Sequence, residues 1–243
     1  MNPRVRQRLL EWIPSPLLPA ARYGWLRLRW AGTVLSECAQ PRAVDGLALP
    51  PPLRRYRVGG HLDRERFLRV GREARRDLER ALRVAGRSLS DFGDALDFGC
   101  GFGRVLRHFA RDADGIRFTG TDIDPEAIAW CTRQLPFARF AVAPHRPPLP
   151  FDDASFDFVY AISVFTHLDE ELQHAWLAEL ARVSRPGATL LLSTHGAKQH
   201  AALPAPDRAR LRERGFCYRT ATTGRFKLDG LPDFYQEAYH TPA

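Results

Sequence analysis

Apolar positions along the chain change their period twice. In residues 1–35, Val5, Leu9, Trp12 and Ile13 fall on one helical face with Arg4, Arg6 and Arg8 off it. After Pro14, Pro16 and Pro19 a second piece carries Tyr23, Trp25, Leu28 and Trp30 with Arg22, Arg27 and Arg29. This pattern predicts an accessory helical extension. Residues 36–61 lose all periodicity, and Pro50, Pro51, Pro52, Gly59 and Gly60 mark them as linker. From Asp63 a long helix is predicted, because Phe67, Val70, Ala74, Leu78, Ala81, Leu82 and Ala85 recur at helical spacing until Gly86 stops it.

Short apolar runs then alternate with helical stripes. Strands are predicted at Ala95–Gly99, Arg117–Thr121, Arg139–Val142, Phe156–Ile162 and Ala188–Thr194. Between them lie a helix over Arg104–Arg111, one from Pro125 to Gln134, and one capped by Asp169 with Leu172, Trp176, Leu180 and Val183 on its buried stripe. Pro125 suits the first helical position, where its missing N–H costs nothing, and Asp124 before it is the natural cap. Alternation of this kind predicts an α/β fold with a doubly wound, mostly parallel sheet. The expected division is an arm and linker over 1–61 and a sheet domain over 62–243. Beyond Gly196 only an Arg-rich helix, Asp207–Arg214, and an aromatic tail stand out. Cys217–Thr222 and Arg225–Leu228 are a poor pair of closing strands, so the C-terminal strands read as incomplete and the ending HTPA as an early stop.

At 243 residues, with 44% hydrophobic, 26% charged and 11% aromatic positions, the composition is that of a globular chain and excludes fibrous or disordered classes. No run approaches the roughly 18 apolar residues of a membrane span, and the expected location is the cytoplasm. Cys38, Cys100, Cys131 and Cys217 are scattered without metal spacing, so neither a disulfide nor a metal site is expected. The net charge of +8 is localised. Residues 1–87 carry 19 Arg or Lys against 8 Asp or Glu, whereas the remainder carries 17 against 20. No nucleic-acid recognition pattern accompanies that excess, which argues against nucleic acid as a partner. Basic residues with tryptophans also describe a helix lying in a membrane interface, a second reading of residues 1–35 that makes peripheral membrane contact an alternative location.

The chemistry-bearing stretch is ALDFGCGFGR at 95–104, a strand that ends in Asp97 and runs into Gly99, Gly101 and Gly103 before a helix. Glycines there let the backbone turn sharply and approach a ligand. Asp122, at the end of the next strand and 19 positions after Gly103, is spaced to accept both hydroxyls of a ribose. Nicotinamide-binding and S-adenosylmethionine-binding sheets share these features. The spacing here is G-x-G-x-G, whereas the dinucleotide fingerprint is G-x-G-x-x-G. Asp97 would also sit badly beside a pyrophosphate and well beside a cationic amino-acid end.

These residues resemble the class I S-adenosylmethionine-dependent methyltransferases. LDFGCGFGR is similar to their glycine-rich motif and GTDIDPEAI to their ribose-binding turn. LPFDDASFDFVYAISVFTHL resembles their fourth-strand block, and LARVSRPGATLLLST their turn into strand five. Within that superfamily, PPLRRYRVGG and LPDFYQEAYHTP resemble a bacterial branch found with glycosyltransferases. The resemblance implies that Gly99, Gly101 and Gly103 line the methionine and ribose side of S-adenosylmethionine, with Asp97 near its ammonium. It further implies Asp122 on the ribose and Ile123 beside the adenine. After strand three, Ala143, Pro144 and His145 stand where many relatives carry an Asp for the adenine amine, so backbone groups are expected to read it.

Methyl transfer to a weakly acidic hydroxyl benefits from a base. His167 and His195 follow strands four and five, at the carboxyl ends where such sheets bind ligands. Either is a candidate catalytic base, set against a helix-start role for His167 and a plain loop role for His195. Tyr235, Tyr239 and His240 are candidates for an acceptor wall. The expected activity is O-methylation of a sugar, glycolipid or other small acceptor. Its rivals are a nicotinamide-dependent oxidoreductase and a non-catalytic membrane-surface module with a vestigial cofactor pocket. Against the oxidoreductase, no Ser, Tyr and Lys set is apparent, and Lys198 and Lys227 are the only lysines.

Overall fold

The computed structural model describes residues 28, 31–33, 35–36, 43–222 and 234–241. The stripes read in residues 1–30 therefore lie outside the described residues, Leu28 excepted. The central sheet has five strands, β3 (Asp94–Phe98), β4 (Arg117–Asp122), β5 (Ala138–Val142), β6 (Phe156–Ala161) and β7 (Ser184–Leu192). All neighbours pair in parallel in the order β5-β4-β3-β6-β7. The chain winds outward from β3 to β5, then returns to the other side of β3 with β6. The carboxyl ends of β3 and β6 thus form the switch point where such sheets open a crevice for ligands.

Alternation along the strands decides the two layers. Ala95, Phe118, Phe158 and Tyr160 face the helix α2 (Arg64–Val84) through Leu78 and Leu82, and Leu106 and Phe109 fill the same side. Leu96, Phe98, Val159 and Ala161 face the opposite way, against Leu172, Trp176, Leu180 and Val183 of α4 (Glu170–Val183). All four residues of the expected stripe on α4 are buried. Asp169 caps that helix by accepting from Leu172 N–H at 2.8 Å, and Asp124 caps α3 (Pro125–Gln134) by accepting from Glu126 N–H at 2.9 Å. Asp63 does the same for α2 through Arg66 N–H at 2.6 Å.

Three segments differ from the sequence expectation. The crossover helix expected over Arg104–Arg111 is a tight 3₁₀ segment, Leu106–Asp112, lying under α2 where Gly71 presses against the Arg104 carbonyl. The stretch expected to be linker contains a two-stranded hairpin, β1 (Ala43–Val44) and β2 (Leu47–Ala48), and the helix α1 (Pro52–Gly59). Pro52 occupies the first helical position, and Gly60 closes the helix in the left-handed conformation at φ 65°. These are the start and stop that a cluster of prolines and glycines also signals.

The third difference lies at the C-terminal end. After α5 (Ala197–Ala202) and α6 (Ala205–Arg214), β8 (Phe216–Thr222) pairs antiparallel with β9 (Phe234–His240). Cys217–Thr222 is thus a strand as expected, but its partner is the aromatic tail, and Arg225–Leu228 lies outside the described residues. The pair forms its own two-stranded sheet and, among the described residues, does not extend the central one. Leu203, Leu211, Cys217 and Tyr239 give it a small apolar cluster of its own.

Candidate functional site

The glycine turn leaves β3 at the switch point with Gly99, Gly101 and Gly103 all at positive φ (83°, 52° and 70°). Space as well as conformation requires glycine at the two ends. A Cβ at Gly99 would overlap the Val164 side chain, and one at Gly103 would overlap Leu135. The turn is braced from β4, where Asp122 Oδ2 accepts from Gly101 N–H at 2.7 Å and Oδ1 accepts from Asp124 N–H at 2.9 Å. A carboxylate has about four acceptor sites, so two remain for a ligand. Burial raises the Asp122 pKa, opposed by these two backbone donors.

Asp97 is 2% exposed, and its Oδ2 has no hydrogen-bond partner among the described residues. Tyr160, its register partner on β6, is buried with its hydroxyl near that carboxyl. Burial pushes the Asp97 pKa up to about 8, a rise that the Tyr160 hydroxyl and the Arg104 guanidinium offset only in part. A buried, unpaired carboxyl costs free energy unless a donor arrives. An ammonium is such a donor; a pyrophosphate is not.

Beside the turn, Ile123 is 57% exposed at the end of β4, and Val142 is 46% exposed at the end of β5. Asp122 and Val142 are register partners, so the two aliphatic residues flank adjacent strand ends. Open aliphatic walls at that place suit a flat ring. Sequence reasoning found Ile123 and missed Val142, which the strand pattern offered as the next strand's last residue. The Ala143 N–H is already used, donating to the Asp122 carbonyl at 2.9 Å.

The N-terminal hairpin and α1 roof the turn, another feature missed from sequence. Arg57 reaches Asp124 at 2.6 Å and Glu126 at 2.6 Å, and Arg54 reaches Glu126 at 2.9 Å. Both guanidinium groups lie within 5.8 Å of the Phe102 ring centroid, inside cation–π range. Val58 faces Gly101. From below, Arg107 donates to the carbonyls of Ala48 and Leu47, each at 2.9 Å. The signal for this clasp was PPLRRYRVGG, whose arginines at 54 and 57 share a helical face.

On the far side of the switch point the chain leaves β6 through Ser163, a non-glycine residue at φ 62° whose N–H donates to Ser193 Oγ at 2.7 Å. His167 follows in a 3₁₀ turn, and its Nδ1 lies 2.8 Å from the Gln236 carbonyl of β9. His195 follows β7 and stacks on Tyr239 of β9 at 4.6 Å between centroids, with Nε2 buried and without a hydrogen-bond partner among the described residues. Burial lowers the pKa of both histidines. The fold therefore gathers Asp97, the three glycines, Asp122 and Ile123 at one end of the crevice and brings the two histidines together under β9 at the other. His240 packs on Phe216, within the β8–β9 hairpin.

Comparison with known proteins decides between the nucleoside-cofactor alternatives, because residues 96–192 match a family described as a methyltransferase domain. Those residues are a methyltransferase domain. The chain is 32% identical over 123 residues to O-methyltransferase resE of Aspergillus sclerotiorum, covering 47% of this chain and 45% of that protein. It is 34% identical over 97 residues to a fatty-acid O-methyltransferase of Mycolicibacterium smegmatis, covering 40% and 35%. The chain thus spans less than half the length of these curated relatives. Among solved structures, CalS10, an amino pentose methyltransferase from Micromonospora echinaspora, is 26% identical over half of each chain at a TM-score of 0.41. S-adenosylmethionine is the cofactor of the methyltransferase domain, and the residues present fit it: an unpaired buried carboxyl for an ammonium, and a second carboxylate with spare acceptor capacity for a diol. Among the described residues no helix is long and apolar enough to cross a membrane, and no cluster of metal-ligating side chains occurs.

Proposed function

We propose that this chain transfers the methyl group of S-adenosylmethionine to an oxygen of a small acceptor, a sugar or glycolipid hydroxyl being the class the reading favours. The observation that carries it is the buried Asp97, whose Oδ2 has no hydrogen-bond partner among the described residues, beside a three-glycine turn that Asp122 braces. In this reading Asp97 takes the methionine ammonium, and the backbone of Gly99, Gly101 and Gly103 lines the methionine and ribose. Asp122 accepts from the ribose hydroxyls while holding Gly101, and Ile123 with Val142 encloses the adenine. When bound, the cofactor supplies a methyl carbon activated by a sulfonium, so the protein's work is approach geometry and exclusion of water. The clasp of α1 over the turn serves that exclusion. An oxygen acceptor is supported by the names of the relatives, several of which are O-methyltransferases, and by two histidines of lowered pKa on the acceptor side of the crevice. Calorimetry tests the cofactor half: S-adenosylhomocysteine should bind and NAD should not, and NAD binding without S-adenosylhomocysteine binding would overturn the reading. Transfer of labelled methyl to a panel of sugars, glycolipids and phenols tests the acceptor half.

A further inference from the structure

The outer face of α2 carries charge that the fold does not use. Phe67, Leu68, Gly71, Leu78 and Leu82 bury one side of the helix. On the other side Arg66, Arg69, Arg72, Arg76, Arg80 and Arg83 stand exposed, with Glu65, Glu73 and Asp77 among them. At 3.6 residues per turn the six arginines fall within about 120° of the helix circumference, in a row about 26 Å long from residue 66 to residue 83.

Much of that row is not neutralised. Arg69 reaches Glu73 at 3.1 Å and Arg80 reaches Asp77 at 3.8 Å, whereas Arg66, Arg72, Arg76 and Arg83 have no carboxylate at ion-pair distance among the described residues. Exposure by itself does not prevent pairing here. Arg117 and Arg146 are 70% and 57% exposed, yet hold Asp94 at 2.5 Å and Glu171 at 2.7 Å. Beside Arg83 and on the same face as Arg66, Val84 is 86% exposed, the highest value for a large hydrophobic side chain among the described residues.

We propose that this face of α2 docks the protein on an anionic lipid bilayer, with Arg66, Arg72, Arg76 and Arg83 against the phosphate headgroups and Val84 entering the interface. A straight row of cations matches a plane of negative charge, and each guanidinium can hold a phosphate through paired N–H groups. An aliphatic tip at the end of the row suits acyl chains. A nucleic acid is the other polyanion of sufficient length, but the row offers no aromatic ring for a base to stack on, and helix-interior N–H groups are already used within the helix. The docking is independent of the chemistry in the crevice. It borders that crevice all the same, since Gly71 of α2 packs against the Arg104 carbonyl just after the glycine turn.

Co-sedimentation of the full chain with phosphatidylcholine vesicles, with and without phosphatidylglycerol, tests this surface. The chain should sediment only with the phosphatidylglycerol vesicles and be released as salt rises. Arg72→Glu, Arg76→Glu and Arg83→Glu together should lower that affinity at least about 100-fold, or about fivefold for each cation lost. The neutral set Arg72→Gln, Arg76→Gln and Arg83→Gln should lower it less, and keeps the test open if the reversal does not fold. Arg133→Glu, Arg139→Glu and Arg212→Glu, at exposed positions on α3, β5 and α6, change the net charge equally and should cost less than about tenfold. Thermal melts and S-adenosylhomocysteine affinity should be unchanged in the α2 variants. Absence of vesicle binding by the wild-type chain, binding that survives the α2 substitutions, or an equal loss in the control set overturns the proposal. So does tighter binding of the wild-type chain to duplex DNA than to phosphatidylglycerol vesicles at the same salt. Vesicle binding without S-adenosylhomocysteine binding would instead overturn the methyltransferase reading and leave the docking surface standing.

Discussion

The Gly101 N–H donates to Asp122 Oδ2 at 2.7 Å, so the carboxylate that closes β4 also holds the turn that leaves β3. One side chain thereby couples two halves of the crevice. Asp122→Ala should remove both the brace and the acceptor for a diol, weakening S-adenosylhomocysteine by about 1–3 kcal/mol. Calorimetry measures it. Asp122→Asn retains one carbonyl oxygen and should lose less, and unchanged affinity in both variants would place the ribose elsewhere.

Asp97, with its pKa pushed up to about 8 by burial, is largely neutral at pH 7 in the free protein. An ammonium pairs with the carboxylate form, so binding should expel a proton. Between about pH 6 and 7.5, affinity should rise as pH rises, by up to tenfold per unit, with calorimetric proton release approaching one. Asp97→Asn should bind weakly and without that dependence. The sign for the unliganded fold is opposite: a raised native pKa contributes stability at low pH that is lost as pH climbs through about 8.

The salt bridges of Arg54 and Arg57 to Glu126 and Asp124 tie α1 to the start of α3. Deleting residues 1–35 should leave S-adenosylhomocysteine binding intact. Deleting 1–60 should weaken it by about tenfold or more, since charge-assisted contacts and the roof over Gly101 go together. Thermal melts with and without the ligand distinguish the two, and equal behaviour of both deletions would show the clasp to be idle.

Gly71, in the middle of α2, has no room for a methyl group because a Cβ would overlap the Arg104 carbonyl and the His108 ring. Backbone cannot retreat as a flexible side chain can. Gly71→Ala should therefore destabilise by about 1–3 kcal/mol, despite the better helix propensity of alanine, lowering the melting temperature by roughly 2 to 12 °C. A neutral or stabilising outcome would mean that α2 shifts without cost.

Residue types and local spacing were enough to mark the five parallel strands, the caps Asp124 and Asp169, and the turn with its distant acid. Each of these is decided within a few residues: period two or 3.6 reports which face is buried, and a glycine or a capping carboxylate acts on its own backbone. The family match over 96–192 falls on this same locally legible stretch. Tertiary structure decided the rest. Arg54 meets Glu126 across 72 positions, and His167 meets Gln236 across 69. Nothing in the periodicity of either partner names the other. Whether β9 adds to the sheet or crosses its carboxyl end depends on how α6, β8 and the 3₁₀ turn at Phe165–His167 pack together. A strand's alternation states that it has a buried face, and only the assembled fold determines what that face is buried against.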